Sequence, residues 1–289
     1  MKTTIPSLPA KSLWKRLALV STACCLLAGS LSAATISSGF EPTTNGNYTA
    51  GGDVIGKQDT SLGGTWTSIW TTPPTGVIFS SPTGQAGSTA LRIASDGTSA
   101  RGANLQVANA ASLLTSTFSF SLAMNVQSLG TPTSGQQVQV QFGAQTFGNN
   151  SSWLKFGYDG GASGNQNYYI QGWNGSSLTS KYISTSSVTA GLGEWVTFNF
   201  TVDPFSHTYT SATITGSKGT LAFDLTGLQM AWDGTTTPSN YLSLVTGGGD
   251  VVTVDFDNVS ISSIPEPAVA GLLMGGLLFG LVRRRRHLA

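Results

Sequence analysis

Alternation with a period of two runs through most of this 289-residue chain, and that period belongs to strands half buried on a sheet. In TFSFSLAMNV, Phe118, Phe120, Leu122, Met124 and Val126 share one face. QQVQVQF repeats the pattern with Val138, Val140 and Phe142, and EWVTFNFTVD with Val196, Phe198, Phe200 and Val202. In VVTVDFDNVSIS the spacing puts Val252, Val254 and Phe256 on one face and Asp255, Asp257, Val259 and Ile261 on the other. VIFS, ALRI, WLKFGY, NYYIQGW, ATITG, LAFDL and NYLSLV are weaker strand candidates. Turn signals such as Asn174-Gly175 and Asp233-Gly234 separate many of them. No stretch keeps a helical period with caps. The expectation is an all-β chain of eleven or more short strands, folded as two packed antiparallel sheets.

No proline-rich linker or change of composition divides residues 35–263, so they are expected to form one domain. The only cysteines, Cys24 and Cys25, precede it. Its core must therefore hold without disulfides, which about 230 residues allow. Residues 35–263 hold six basic and twelve acidic side chains. This acidic balance argues against a nucleic-acid partner, because neutralising phosphates needs a basic patch.

The two ends read as addresses. Lys11, Lys15 and Arg16, the apolar run Leu17–Leu27 and the small residues Ser32-Ala33-Ala34 make 1–34 a signal peptide, with the mature start at Thr35. Such a leader is handled by the Sec translocon and signal peptidase. At the other end, 268–282 is an uncharged apolar run. As a helix it would be about 22 Å long against a hydrocarbon core of about 30 Å, which makes it a short transmembrane helix. Arg283, Arg284, Arg285 and Arg286 favour the cytoplasmic side. Pro265 and Pro267 keep Glu266 extended just outside the apolar run.

This order of Pro265-Glu266-Pro267, apolar helix and arginine cluster over 264–289 resembles the PEP-CTERM sorting signal. The resemblance implies recognition by exosortase, a membrane transpeptidase of bacteria that make exopolysaccharide. It further implies transient anchoring in the inner membrane, then delivery to the cell surface or extracellular matrix. A second resemblance spans the domain. GFEP, NYTAGGDVIGKQD and GTWTS open it, GSTALRI follows, then GEWVTFNFTVDPFSHTYTSATITG, and VDFDNVSIS closes it. This order is similar to concanavalin A-like jelly-roll β-sandwich domains of secreted bacterial proteins, and implies that fold.

Candidates for chemistry are few. His207 is the only histidine of 35–263, and lies in the turn-like DPFSHTYT. A Ser-His-Asp triad would depend on it, and the usual His/Cys zinc sites are excluded. Glu41 and Glu194 are the only glutamates there, far apart in sequence and outside the E-x-D-x-x-E pattern of jelly-roll glucanases. Asp255 and Asp257 share a strand face at i and i+2. They could form a like-charged pair, supply oxygens to Ca²⁺ with Asp250 or Asp53, or simply bond neighbouring loops.

Carbohydrate recognition uses aromatic faces edged by amides. NQNYYIQGWNGSS places Tyr169, Gln171 and Trp173 on one face, and GTWTSIW offers Trp66 and Trp70 in a polar setting. Packing between the sheets is the alternative for each ring. The leading expectation is a non-catalytic surface or matrix protein that binds exopolysaccharide. The alternatives are a structural or adhesive protein without a sugar site, and a glycoside hydrolase or lyase.

Overall fold

The computed structural model describes residues 33–264 apart from 42–43, 45, 47, 50, 70–77, 82–83, 86–88, 132–134, 149, 162–165, 235–236 and 248–250. The expected leader before Ala33, the tail from Pro265 to the arginine cluster, Trp70 and Asp250 lie outside the described residues. Among the described residues no helix is long and apolar enough to cross a membrane.

Seven strands come from the first part of the chain: β1 (Thr35–Ser38), β2 (Gln58–Asp59), β3 (Gly64–Thr65), β4 (Thr67–Ser68), β5 (Ile78–Ser81), β6 (Ala90–Ala94) and β7 (Arg101–Gln106). The central part gives β8 (Phe118–Leu129), β9 (Gln136–Phe142), β10 (Leu154–Asp159), β11 (Asn167–Trp173) and β12 (Leu178–Ser184). A one-turn helix, α1 (Thr185–Val188), then leads to β13 (Val196–Asp203), β14 (Thr208–Gly216), β15 (Gly219–Ala222), β16 (Tyr241–Thr246) and β17 (Val252–Ser263). One sheet has the order β15-β14-β13-β8-β17-β6-β5, with β1 added against β17. The second has the order β12-β11-β10-β9-β16-β7-β4. The strand pairings within both are antiparallel.

The two sheets pack as a sandwich, and the alternating residues supply its filling. Phe118, Phe120, Leu122 and Met124 of β8 and Phe198 and Phe200 of β13 are buried from one side. They meet Val138, Val140, Phe142, Phe156 and Tyr168 of the other sheet, also buried. Ring centroids lie 5.2 Å apart for Phe120–Phe142 and 4.6 Å for Phe156–Phe198, within the range of favourable aromatic pairs. Fully burying one such ring contributes roughly 1.5–3 kcal/mol, so this aromatic layer carries much of the fold.

The last strand departs from the expected alternation. Val259 and Ile261 belong to the core together with Val252, Val254 and Phe256, not to the face of Asp255 and Asp257. Between Asp257 and Ser260 the register against β8 slips, and Asn258 has φ 50°. This is a bulge: one extra residue reverses the phase, and asparagine tolerates the left-handed backbone it requires. Asn258→Val should therefore cost about 1–2 kcal/mol in urea unfolding, while Asn258→Gly should be close to neutral. Equal losses for both would remove the bulge explanation.

A small module closes the N-terminal side. Asp59, on the β2–β3 hairpin, is wholly buried. Its Oδ2 accepts from Ser38 Oγ at 2.6 Å and Tyr48 Oη at 2.9 Å, and its Oδ1 from Leu62 N at 2.8 Å. Trp66 Nε1 donates to Tyr48 Oη at 2.9 Å. Trp66 is thus a buried structural ring, which corrects the expectation that GTWTSIW displays it.

Candidate functional site

On each strand the residues between core positions point away from the sandwich, and on the second sheet they form a polar face. The register aligns Ser180, Gln171, Lys155, Gln141, Ser243 and Asn104 in one row across six neighbouring strands, and Thr67 of β4 extends it to the far edge. This is the unit by which a sheet builds a surface, since directly opposed side chains lie about 5 Å apart.

Half of that row is roofed by the segment joining β9 and β10. Gln141 Oε1 accepts from Gly148 N at 2.9 Å, its Nε2 donates to Ser152 Oγ at 2.5 Å, and Asn104 Nδ2 reaches Gln145 O at 3.0 Å. Under this roof Gln141 and Ser243 are fully buried and Lys155 is 3% exposed. Burial pulls the Lys155 ammonium down to about 8, with Asp233 acting weakly in the opposite sense.

The other half is open. Gln139 Nε2 donates to Gln171 Oε1 at 3.4 Å, and Gln171 Nε2 donates to Ser180 Oγ at 3.2 Å. This chain leaves further amide and hydroxyl capacity facing solvent, because each amide has two donors and an acceptor with two lone pairs. Beside it stands Tyr182, 51% exposed and one of the few large exposed apolar side chains among the described residues.

Tyr169, Gln171 and Trp173 do share the outward face, but they are not equivalent. Tyr169 is fully buried, and its hydroxyl donates to Val138 O at 3.2 Å. Gly157 lies directly opposite it on β10, where a Cβ would collide with that same carbonyl. Tyr169 therefore covers a glycine in the sheet and offers no free ring face. Tyr182, its partner across the β11–β12 pair, lies 6.3 Å away between centroids and is the exposed ring. Trp173 is half-buried at the end of β11, where its backbone bridges to Gln229. Sequence reasoning missed Tyr182, Gln139 and Ser180. LTSKYIS is mixed in polarity on both faces because β12 is an edge strand, so no alternation marks it.

Asp255 and Asp257, expected either to offer oxygens to Ca²⁺ or to bond neighbouring loops, are each met by protein donors. Arg92 Nε bonds Asp255 Oδ1 at 2.6 Å and Arg92 Nη2 bonds Oδ2 at 2.7 Å, while Gln127 Nε2 adds a third bond at 3.0 Å. Asp257 Oδ2 accepts from Gln85 N at 2.8 Å and its Oδ1 from Asn258 N at 2.7 Å. Both carboxylates are fully buried, Asp255 against a guanidinium and an amide and Asp257 against two backbone N–H groups. Among the described residues no group of three His, Cys, Asp or Glu could hold a metal ion.

The remaining candidates are dispersed. Glu41 accepts from Thr89 N and Oγ1, at 3.0 and 3.2 Å. Glu194, just before β13, accepts from Ala190 N at 3.2 Å and from Ser217 Oγ. His207 has φ 57° and stands edge-on to Trp232, with centroids 3.9 Å apart. Its carbonyl accepts from Met230 N at 3.0 Å, so it anchors a loop.

No known protein family matches the chain, and neither does any curated protein sequence. Among solved structures it is similar to a carbohydrate esterase from Shiga toxin-encoding bacteriophage phi24B, at 15% identity and a TM-score of 0.43, over 69% of this chain and 90% of that one. It is also similar to the binding domain of botulinum neurotoxin DC, at 11% identity and a TM-score of 0.48, over 84% of this chain and 51% of that one. The chain thus spans about half the length of that neurotoxin domain. A protein of unknown function, SO2946 from Shewanella oneidensis MR-1, is matched at 12% identity and a TM-score of 0.45, over 92% of this chain and all of that one. At these identities and scores the likeness carries no functional inference. The protein is an antiparallel β-sandwich with one polar, partly open sheet face.

Proposed function

We propose that this protein is an exported, non-catalytic surface protein whose sandwich binds carbohydrate on the open half of the second sheet. The observation that carries the reading is the Gln139–Gln171–Ser180 chain beside the exposed Tyr182 ring. Amides and a hydroxyl supply donors and acceptors to sugar hydroxyls, and a tyrosine face stacks on a pyranose ring. The non-catalytic reading draws on the separate surroundings of Glu41, Glu194 and His207, which engage Thr89, Ser217 and Trp232 in turn. The strand order, with the chain's last strand β17 central between β8 and β6, fits the concanavalin A-like jelly roll.

In this reading residues 1–34 are the signal peptide, delivered to the Sec translocon and cut by signal peptidase. Residues 264–289 form the PEP-CTERM-like signal, with helix 268–282 held transiently in the inner membrane by Arg283–Arg286. An exosortase-type transpeptidase cuts near Pro265-Glu266-Pro267, and the domain reaches the cell surface or an exopolysaccharide matrix. Polysaccharide is the partner and nucleic acid is not.

The test is binding of the purified protein to a glycan array, followed by titration of any hit. Tyr182→Ala and Gln171→Ala should each weaken that hit at least fivefold, with Val251→Ala, elsewhere on the surface, as the unaffected control. A hit that ignores Tyr182 and Gln171 would move the site off this face. Absence of any glycan hit would favour a structural or adhesive role.

A further inference from the structure

Strand β1 begins where the leader is expected to end, and its partner is the last strand of the domain. Thr35 opposes Ser262 and Ile36 opposes Ile261. The Ser263 N–H donates to the Ala34 carbonyl oxygen at 3.0 Å, and Ala34 N donates to Ser263 Oγ at 3.1 Å. Thr35 Oγ1 and Ser262 Oγ are 2.7 Å apart, across 227 residues of sequence. We infer that signal peptidase must cut the Ala34–Thr35 bond before β17 pairs with β1, so that closure of this strand pair ends the time in which the leader can be removed. The inference rests on reading 1–34 as a signal peptide.

Cleavage needs what the pairing takes away. The enzyme's nucleophile adds to the Ala34 carbonyl carbon, the C–N bond to Thr35 breaks with the proton going to the Thr35 amine, and water then releases the Ala34 carboxylate. During addition, negative charge collects on the Ala34 carbonyl oxygen and must be met by donors in the enzyme. A peptidase also takes its substrate as an extended strand bonded through its backbone. In the folded domain that oxygen already faces the Ser263 N–H, and residues 35–38 already lie against 259–262. The same backbone cannot serve both partners.

The order of synthesis keeps the bond free at first. Ser262 follows Thr35 by 227 residues, which at about 5–20 residues per second leaves roughly 10–45 s before the partner strand exists. Among the described residues the ladder partner of β1 is β17, so the backbone of Ala34 and Thr35 stays unpaired until β17 arrives, even if the Ser38 side chain meets Asp59 earlier.

The experiment depletes signal peptidase in a bacterial host until full-length precursor has accumulated with β17 translocated, then restores the enzyme and follows cleavage by gel shift and N-terminal sequencing. Two full-length variants run beside the unaltered chain. Val259→Asp/Ile261→Asp cannot bury β17. Ser263→Pro removes both bonds to Ala34, the N–H that donates to its carbonyl and the Oγ that accepts from its N–H, and keeps Val259 and Ile261 to bury β17. Accumulated unaltered precursor should be cut at least tenfold more slowly than the double variant, with Ser263→Pro faster than the unaltered chain. Equal rates for all three would overturn the inference while leaving the leader in place. No cleavage between Ala34 and Thr35 in any of them would overturn the leader reading, and the inference with it.

Discussion

Arg92→Met should lower the unfolding free energy by about 3 kcal/mol, because it leaves the Asp255 carboxylate buried without its cation. Asp255 has no exposed surface, and the guanidinium grips both of its oxygens, at 2.6 and 2.7 Å. Gln127 Nε2, at 3.0 Å, is then the one side-chain donor of the three that remains. The pair also joins two strands, since Asp255 of β17 lies opposite Arg92 of β6. An attraction between buried charges roughly offsets their desolvation, so the cost comes from breaking the pair more than from lacking it. Arg92→Met combined with Asp255→Leu should therefore recover at least half of the loss. Urea unfolding of both single variants and the double variant measures this. A double variant as unstable as the sum of the singles would mean that the two residues act independently.

Asp59→Ala should cost about 3–5 kcal/mol, because it leaves three buried donors without their acceptor at about 1–3 kcal/mol each. It strips partners from Ser38 Oγ, Tyr48 Oη and Leu62 N at once, and Trp66 is attached through Tyr48. Burial raises the Asp59 carboxyl above its ordinary range, against the hydrogen bonds from Ser38, Leu62, Tyr48 and Ser61 that pull it down. The sign of the pH dependence follows. Between about 3.9, its unfolded value, and the raised folded value, the folded protein holds more protons on this group than the unfolded chain does. Stability from Asp59 is then fully present at acid pH and declines as pH rises through the folded value. The advantage of the unaltered protein over Asp59→Ala should be larger at pH 4 than at pH 7. A difference that grows with pH would contradict the burial effect.

The contrast between Tyr169 and Tyr182 shows how far the site was legible. Alternation in NYYIQGW correctly aims Tyr169, Gln171 and Trp173 at one face. It cannot report that Gly157 sits across the ladder and draws the Tyr169 ring down onto the sheet. Tyr182 comes from an edge strand whose pattern is blank, and only pairing with β11 brings it beside Gln171. Asp255 and Asp257 show the same limit. Their shared face is readable from spacing, but apart from the adjacent Asn258 N–H the donors shown come from Arg92, Gln127 and Gln85, more than a hundred residues away in sequence.

The amino-acid order by itself determined the all-β character and the strands β8, β9 and β13 with the residues that each turns into the sandwich. Each of these depends on local periodicity, and a side-chain period of two has one physical solution. Tertiary structure decided which carboxylates are paired, which ring is exposed, and where the phase of β17 reverses at Asn258. Those outcomes depend on strand register and on contacts between distant segments, and a one-residue shift of register exchanges the two faces of a strand.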